Sequence, residues 1–306
     1  MALLFGKASA RNLSEIAPEG RSLWVDARAR FMGNKAAVSS LLVLIMVALF
    51  AAFGSNFASW SNEEIDWGVI GSVKEMGRPS LGNGHYFGTD DLGRDLFARV
   101  VQGTQVSLMV GLIGSLVAVV VGTLYGAVAG YVGGRVDNFM MRLVDILIAV
   151  PYMFVLIILL VMFGRSLVML FIGIGLISWL DMARIVRGQT LSIKNKEFVE
   201  AAIATGVPTW RIIARHIVPN LLGVVVVYAT LLVPNMIIFE SFISFLGLGV
   251  QEPSTSWGAL IDEGAAQMNY GTLWQLLIPL AFFVVTLFSF FFLGDGLRDA
   301  LDPKDR

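Results

Sequence analysis

The chain has 306 residues, a length that suits one or two soluble domains, but 56% of them are hydrophobic, only 15% are charged and the formal net charge is −1. With a mean hydropathy of +0.75, so little polar surface cannot cover a soluble fold of this size, and the chain reads as an all-α polytopic membrane protein. It contains no cysteine, which excludes disulfides and thiolate metal sites. His85 and His216 are too distant in sequence to suggest a histidine metal site, so no metal or cofactor is expected.

Residues 1–35 carry scattered Lys and Arg without a compact apolar stretch leading to a small-residue cleavage site, so this segment reads as retained. A helix needs about 20 apolar residues to cross the hydrocarbon core. Six segments meet that requirement: 36–54, 107–131, 140–163, 166–183, 221–249 and 273–294. The third and fourth are separated only by Gly164-Arg165, which predicts an antiparallel hairpin, and Pro234 predicts a kink in the fifth. Every Lys and Arg except Lys74, Arg78, Arg94, Arg99 and Arg165 falls on one set of alternate segments when the N-terminus is placed inside. Positive charge favours the cytoplasmic side, so both termini are expected there.

Two polar excursions interrupt the spans. The first outer loop ends in Gly88-Thr89-Asp90-Asp91-Leu92-Gly93-Arg94-Asp95, where Thr89 or Asp90 can cap a helix and Leu92, Leu96 and Val100 recur every four residues. That pattern predicts an amphipathic helix lying on the membrane surface. The second excursion, 184–220, is basic. In it Phe198, Ala201, Ala202 and Thr205 share a helical stripe opposite Lys194, Lys196, Glu197 and Glu200. Gly206 permits a turn with positive φ, Pro208 opens a short second helix over 209–216, and Pro219 precedes the fifth span. From the residues alone this unit is either a plain connector or an elbow that a cytosolic machine can grip.

Glu200-Ala201-Ala202, Gly206, Ile217 and Pro219 resemble the EAA signature of permease subunits of binding-protein-dependent ABC importers. His216-Ile217-Val218-Pro219-Asn220 is similar to the form found in the peptide-importer branch. The Gly88-to-Asp95 run, Ser244-Phe245-Leu246-Gly247-Leu248-Gly249 and Gly294-Asp295-Gly296-Leu297-Arg298-Asp299 resemble further signatures of that branch. Glu19-Gly20-Arg21-Ser22-Leu23-Trp24 and Trp179-Leu180-Asp181-Met182-Ala183-Arg184 look like the oligopeptide C-type subunit in particular.

The resemblance implies a type I ABC importer permease fold in the bacterial inner membrane, with Glu200, Ala201, Ala202 and Gly206 coupling to an ATPase. Its implied partners are a second homologous permease, two cytosolic ATP-binding subunits, an external peptide-binding protein and the peptide itself, with no nucleic acid. The expected organisation is a cytoplasmic segment (1–35), a first span (36–54), a periplasmic loop with an amphipathic helix (55–106), a permease core (107–294) carrying the insert 184–220, and a cytoplasmic tail (295–306). The sequence agrees on energetics: it has no Gly-x4-Gly-Lys-Ser/Thr phosphate loop, so ATP hydrolysis is expected to be supplied by a partner and the chain is not expected to be an enzyme.

Two intramembrane acids require explanation, because a carboxylate at mid-helix costs about 2.5 to 3.5 kcal/mol on insertion scales. Asp145 follows Arg142 by three residues, an ion-pair spacing, and Glu240 is placed near the outer mouth. Both are candidates for a pathway or gate. An alternative is a self-sufficient secondary transporter using them as an ion relay. Gly122, Gly126, Gly130 and Gly134 recur every four residues, a groove suited to close helix packing.

Overall fold

The computed structural model describes residues 23–301, so the basic residues Lys7, Arg11, Arg21, Lys304 and Arg306 lie outside it, as do residues 1–22 of the expected N-terminal segment and 302–306 of the tail. The described chain is almost entirely helical: α1 (Leu23–Gly33), α2 (Lys35–Phe53), α3 (Val73–Met76), α4 (Leu96–Val132), α5 (Gly134–Ala149), α6 (Tyr152–Phe163), α7 (Leu167–Ile193), α8 (Glu197–Ala204), α9 (Thr209–Ile212), α10 (Val218–Phe245), α11 (Trp257–Gln267) and α12 (Trp274–Leu301). Five stretches are long and apolar enough to cross a membrane, and α5 with α6 forms a bent sixth. Four helix starts are fixed by side-chain caps. Asn34, Asp95, Ser166 and Ser256 each accept the backbone N–H three residues on, opening α2, α4, α7 and α11.

The bundle has two ends. At one, Lys194 Nζ donates to Gly130 O, joining the end of α7 to the end of α4; α8 and α9 project there, and this is the elbow end. At the other, the far end, Arg165 donates to Gly247 O and Arg94 reaches Glu252. Helix α7 lies along α4 in the most extensive contact of the molecule. Gly122, Gly126 and Gly130 make it possible. A Cβ at these positions would lie only 2.7 Å from Trp179 O, 2.4 Å from Ala183 O and 2.9 Å from Arg187 O. Gly134 is the exception in the expected stripe: it opens α5 with φ of 58° and faces open space.

Several helices differ from expectation for identifiable reasons. Helix α4 does not start after a surface helix; it begins at Leu96 and runs 37 residues, about 55 Å, so its first turns stand beyond the bilayer. Asp95 is its cap, in place of Thr89 or Asp90. Leu96 and Val100 are buried against Leu260, and Leu92 lies outside the helix. The expected span 140–163 is broken, since α5 and α6 meet at 74°. Pro151 is the cause, because a residue before proline is driven to extended backbone, and Val150 has φ −82° and ψ 124°. Helix α7 continues through Arg184 to Ile193, so the polar excursion begins inside a span. Helix α10 carries Pro234, where the sequence predicts a kink, inside its length.

The glycine contacts yield a direct test. We expect Gly126→Val to destabilise the protein by about 1–3 kcal/mol, the usual cost of forcing atoms into a packed interface. Gly188→Ala, where no atom lies within 4 Å of the added Cβ, should be close to neutral. Thermal unfolding in detergent compares the two.

Candidate functional site

The elbow is closed by backbone hydrogen bonds that only its sequence permits. Helix α8 ends with Val207 N–H donating to Ala202 O at 3.1 Å and Gly206 N–H to Ile203 O at 3.0 Å, the Schellman arrangement. This closure requires a left-handed residue, and Gly206 has φ of 77°. The Thr205 hydroxyl donates to Ala201 O and Ala202 O, adding one carbonyl to the cap and sharing that of Ala202. Pro208 then starts α9. Beyond it the hydrogen-bond ladder widens into a π turn over Ile213–Ile217, ahead of Pro219, which has no N–H to give. Thr209–Phe245 is thereby one apolar rod of 37 residues, where a short helix separate from the fifth span was expected.

One side of the elbow belongs to the core. Val199 and Ala202 of α8 and Ile212 of α9 pack with Ala127 of α4, Val186 of α7, and Leu221 and Val225 of α10. The other side is open. Phe198, Ile203 and Trp210 are 42%, 53% and 65% exposed, and Glu200, Ala201 and Gly206 are also exposed. The stripe expected from the sequence is thus divided: Ala202 is turned into the core, while Phe198, Ala201 and Thr205 face out. Small Ala201 between larger apolar side chains leaves a shallow surface on which a partner can lie close.

At the far end the Gly88-to-Asp95 run builds an ionic lattice. Gly88 and Gly93 both have positive φ, of 79° and 75°, and fold the loop back on itself. Asp90, buried, accepts the N–H groups of Leu92 and Arg94, the Arg94 guanidinium at 2.7 Å, and the Arg99 guanidinium. Arg94 continues to Glu252 at 2.8 Å, and Arg99 grips both oxygens of Glu263 at 2.7 and 3.0 Å. Burial pushes the Glu263 carboxyl above its usual value against the opposing pull of Arg99. Burial also raises Asp95, which His85 partly offsets. His85 is fully buried between Asp95 at 2.9 Å and Asp66 at 3.4 Å, under the stacked ring of Trp60. Trp60 thus packs flat on a histidine.

Comparison with known families places the chain as a whole. The family described as "Binding-protein-dependent transport system inner membrane component" matches residues 122–306, and "N-terminal TM domain of oligopeptide transport permease C" matches 22–70. The chain belongs to this permease family. It is 60% identical to the oligopeptide transport system permease protein OppC of Salmonella typhimurium, over 96% of each chain. It is 52% identical to OppC of Haemophilus influenzae, over 99% of this chain and 95% of that one, and 42% identical to the dipeptide permease DppC of Bacillus subtilis, over 92% and 86%. A solved MetNI methionine ABC transporter in inward-facing form shares the fold at a TM-score of 0.52 and 18% identity, covering 66% of this chain and 95% of that chain. The protein is therefore a multi-pass membrane permease subunit, and not an enzyme.

Within this permease the two acids are far apart and differently held. Asp145 pairs with Arg184 of α7 at 2.5 Å, not with Arg142, and both side chains are largely exposed near the elbow end. Glu240 is fully buried near the far end and accepts hydroxyls from Ser107, Ser241 and Ser244. Sequence reasoning missed the Arg99–Glu263 and Arg94–Glu252 pairs. Their members stand more than 150 residues apart, and the only signal was an acidic final outer loop with no basic residue.

Arg99→Met would leave Asp90 and Glu263 facing each other without their shared cation. Breaking a buried pair in this way costs about 3–5 kcal/mol. We expect a large loss of thermal stability for the purified permease complex, whereas Arg165→Met, at an exposed bond to a carbonyl, should change little.

Proposed function

We propose that this permease subunit carries oligopeptides, forming half of a translocation pathway with a second homologous permease. In this reading two ATP-binding subunits act on it from the cytosol and a peptide-loaded binding protein delivers cargo at the far end. The subunit sits in a bacterial inner membrane, with the elbow and both termini in the cytosol. The excess of Lys and Arg on the elbow-end segments supports that orientation, and 60% identity to an oligopeptide permease along almost the whole chain supports the cargo class.

The observation that carries the proposal is the two-sided elbow. Its outward face offers exposed apolar residues on a helix fixed by the Gly206 turn, and its inward face shares a core with α4, α7 and α10. A partner bound to Phe198, Ala201, Ile203 and Trp210 would therefore push directly on three membrane helices. Glu200, Ala201, Ala202 and Gly206 are the coupling positions: Glu200 and Ala201 face the ATPase, Ala202 roots the helix in the core, and Gly206 sets the angle between α8 and α9. The rival ion-relay reading has little support, since Asp145 and Glu240 lie near opposite ends and each is held by its own partners.

No atom lies within 4 Å of a Cβ built on Gly206, so the effect of substitution there is one of backbone conformation and not of crowding. A β-branched residue in the left-handed region costs about 1–2 kcal/mol or more. We expect Gly206→Val to insert normally in the membrane but to lower peptide uptake and substrate-stimulated ATP hydrolysis of the assembled complex several-fold. Gly206→Asn, which tolerates positive φ, should retain most of both. Equal coupling in wild type and the Val variant would refute the role given to the elbow. Reconstituted alone, the subunit should show no ion-driven uptake.

A further inference from the structure

The Glu240 carboxylate is sealed from solvent, and no cation forms an ion pair with it among the described residues. Hydroxyls hold it instead. Ser107 of α4 and Ser241 donate to Oε2 at 3.0 and 3.2 Å, and Ser244 donates to Oε1 at 2.7 Å. Two of these serines also accept a backbone N–H from the segment that follows α10: Val250 N–H reaches Ser244 at 3.3 Å, and Trp257 N–H reaches Ser107 at 3.2 Å. The carboxylate thus orients serines that in turn hold the segment 246–258.

Close packing reinforces the joint. A Cβ on Gly249 would lie 2.0 Å from the Ser244 hydroxyl, and one on Gly258 would lie 2.3 Å from Ser241 O. Both glycines let the segment rest directly on the serine face of α10. The same segment carries Glu252, bound to Arg94, and leads into α11, whose Glu263 is bound to Arg99. At its other end, the rod containing Glu240 begins at Thr209 in the elbow.

We propose that Glu240 is a positioning residue of the transport cycle: it fastens segment 246–258 to the tip of the rod that starts in the elbow, so that movement of the elbow is delivered to the outer mouth. This rests on the coupling role proposed for the elbow. Being sealed, Glu240 acts without touching cargo. Its two oxygens matter because both accept from serine hydroxyls, whereas an amide in either orientation turns an NH₂ toward a serine donor. Those hydroxyls then lose their acceptor and the relay to Val250 and Trp257 loosens.

The test uses the assembled complex of both permeases, the ATPases and the binding protein in lipid nanodiscs. Because the chain has no cysteine, a single Gln251→Cys substitution on the exposed part of the segment reports its labelling rate with and without ATP. We expect Glu240→Gln to leave basal ATP hydrolysis within about twofold of wild type. Stimulation by loaded binding protein should fall several-fold, and the nucleotide-dependent change in labelling at position 251 should disappear. Ser107→Ala, which removes one donor, should shift both readouts the same way by less, and it serves if Glu240→Gln fails to assemble. Wild-type stimulation and labelling response in these variants would overturn the proposal. So would basal and stimulated rates falling in equal proportion with the labelling response intact, the mark of a merely structural residue. If Gly206→Val uncouples and Glu240→Gln does not, the joint alone is wrong; if neither uncouples, the elbow reading falls with it.

Discussion

Burial of Val199, Ala202 and Ile212 in the same apolar core as Ala127, Val186 and Leu221 is the contact on which the rest of the molecule depends. A helix pair tethered only by its ends would move without consequence for the spans. Shared burial removes that freedom, because packed side chains cannot slide independently without opening voids. The Gly206 turn adds direction. Its backbone bonds to Ala202 and Ile203 set α8 at a fixed angle to the rod beginning at Thr209, so a load on the exposed face reaches α10 through both packing and chain continuity.

The two ends of the bundle are held by different physics. Along α4 and α7 the contact is apolar and very close, and glycines supply it: dispersion between backbones replaces the hydrophobic driving force that is absent in lipid. At the far end, Asp90, Arg94, Arg99, Glu252 and Glu263 form a charged lattice joining the Gly88-to-Asp95 loop to α11. Such pairs add little net stability, since desolvation consumes most of the attraction, but they make wrong arrangements costly. The lattice therefore fixes which loop meets which. Glu240 stands between these regimes, an acid satisfied entirely by hydroxyls.

Much of this was legible in the sequence. The spans follow from hydropathy, and Gly206 and the glycine repeat announced a left-handed turn and a close helix contact. What could not be read is instructive. Pro151 breaks a span that composition alone presents as continuous, because hydropathy windows do not register a single backbone constraint. The first outer helix was placed on the membrane surface because Leu92, Leu96 and Val100 have the right period. In fact Leu96 and Val100 bury against Leu260, and only tertiary contact distinguishes a lipid-facing stripe from a protein-facing one. Asp145 found Arg184, 39 residues away, in preference to the local Arg142. The serine cage around Glu240 is two-thirds local, through Ser241 and Ser244, and one-third remote, through Ser107.

The central claim is that the elbow and the rod move as one body under force from a nucleotide-hydrolysing partner. Spin labels on exposed Ala204→Cys and Val226→Cys, in a chain with no other cysteine, give the distance between α8 and the middle of the rod in the assembled complex. We expect that distance to stay constant between nucleotide-free and ATP-bound states while the Ala204→Cys label shifts relative to the second permease. A change in the internal distance as large as the shift, or an elbow that stays still while ATP is turned over and peptide crosses, would contradict the account.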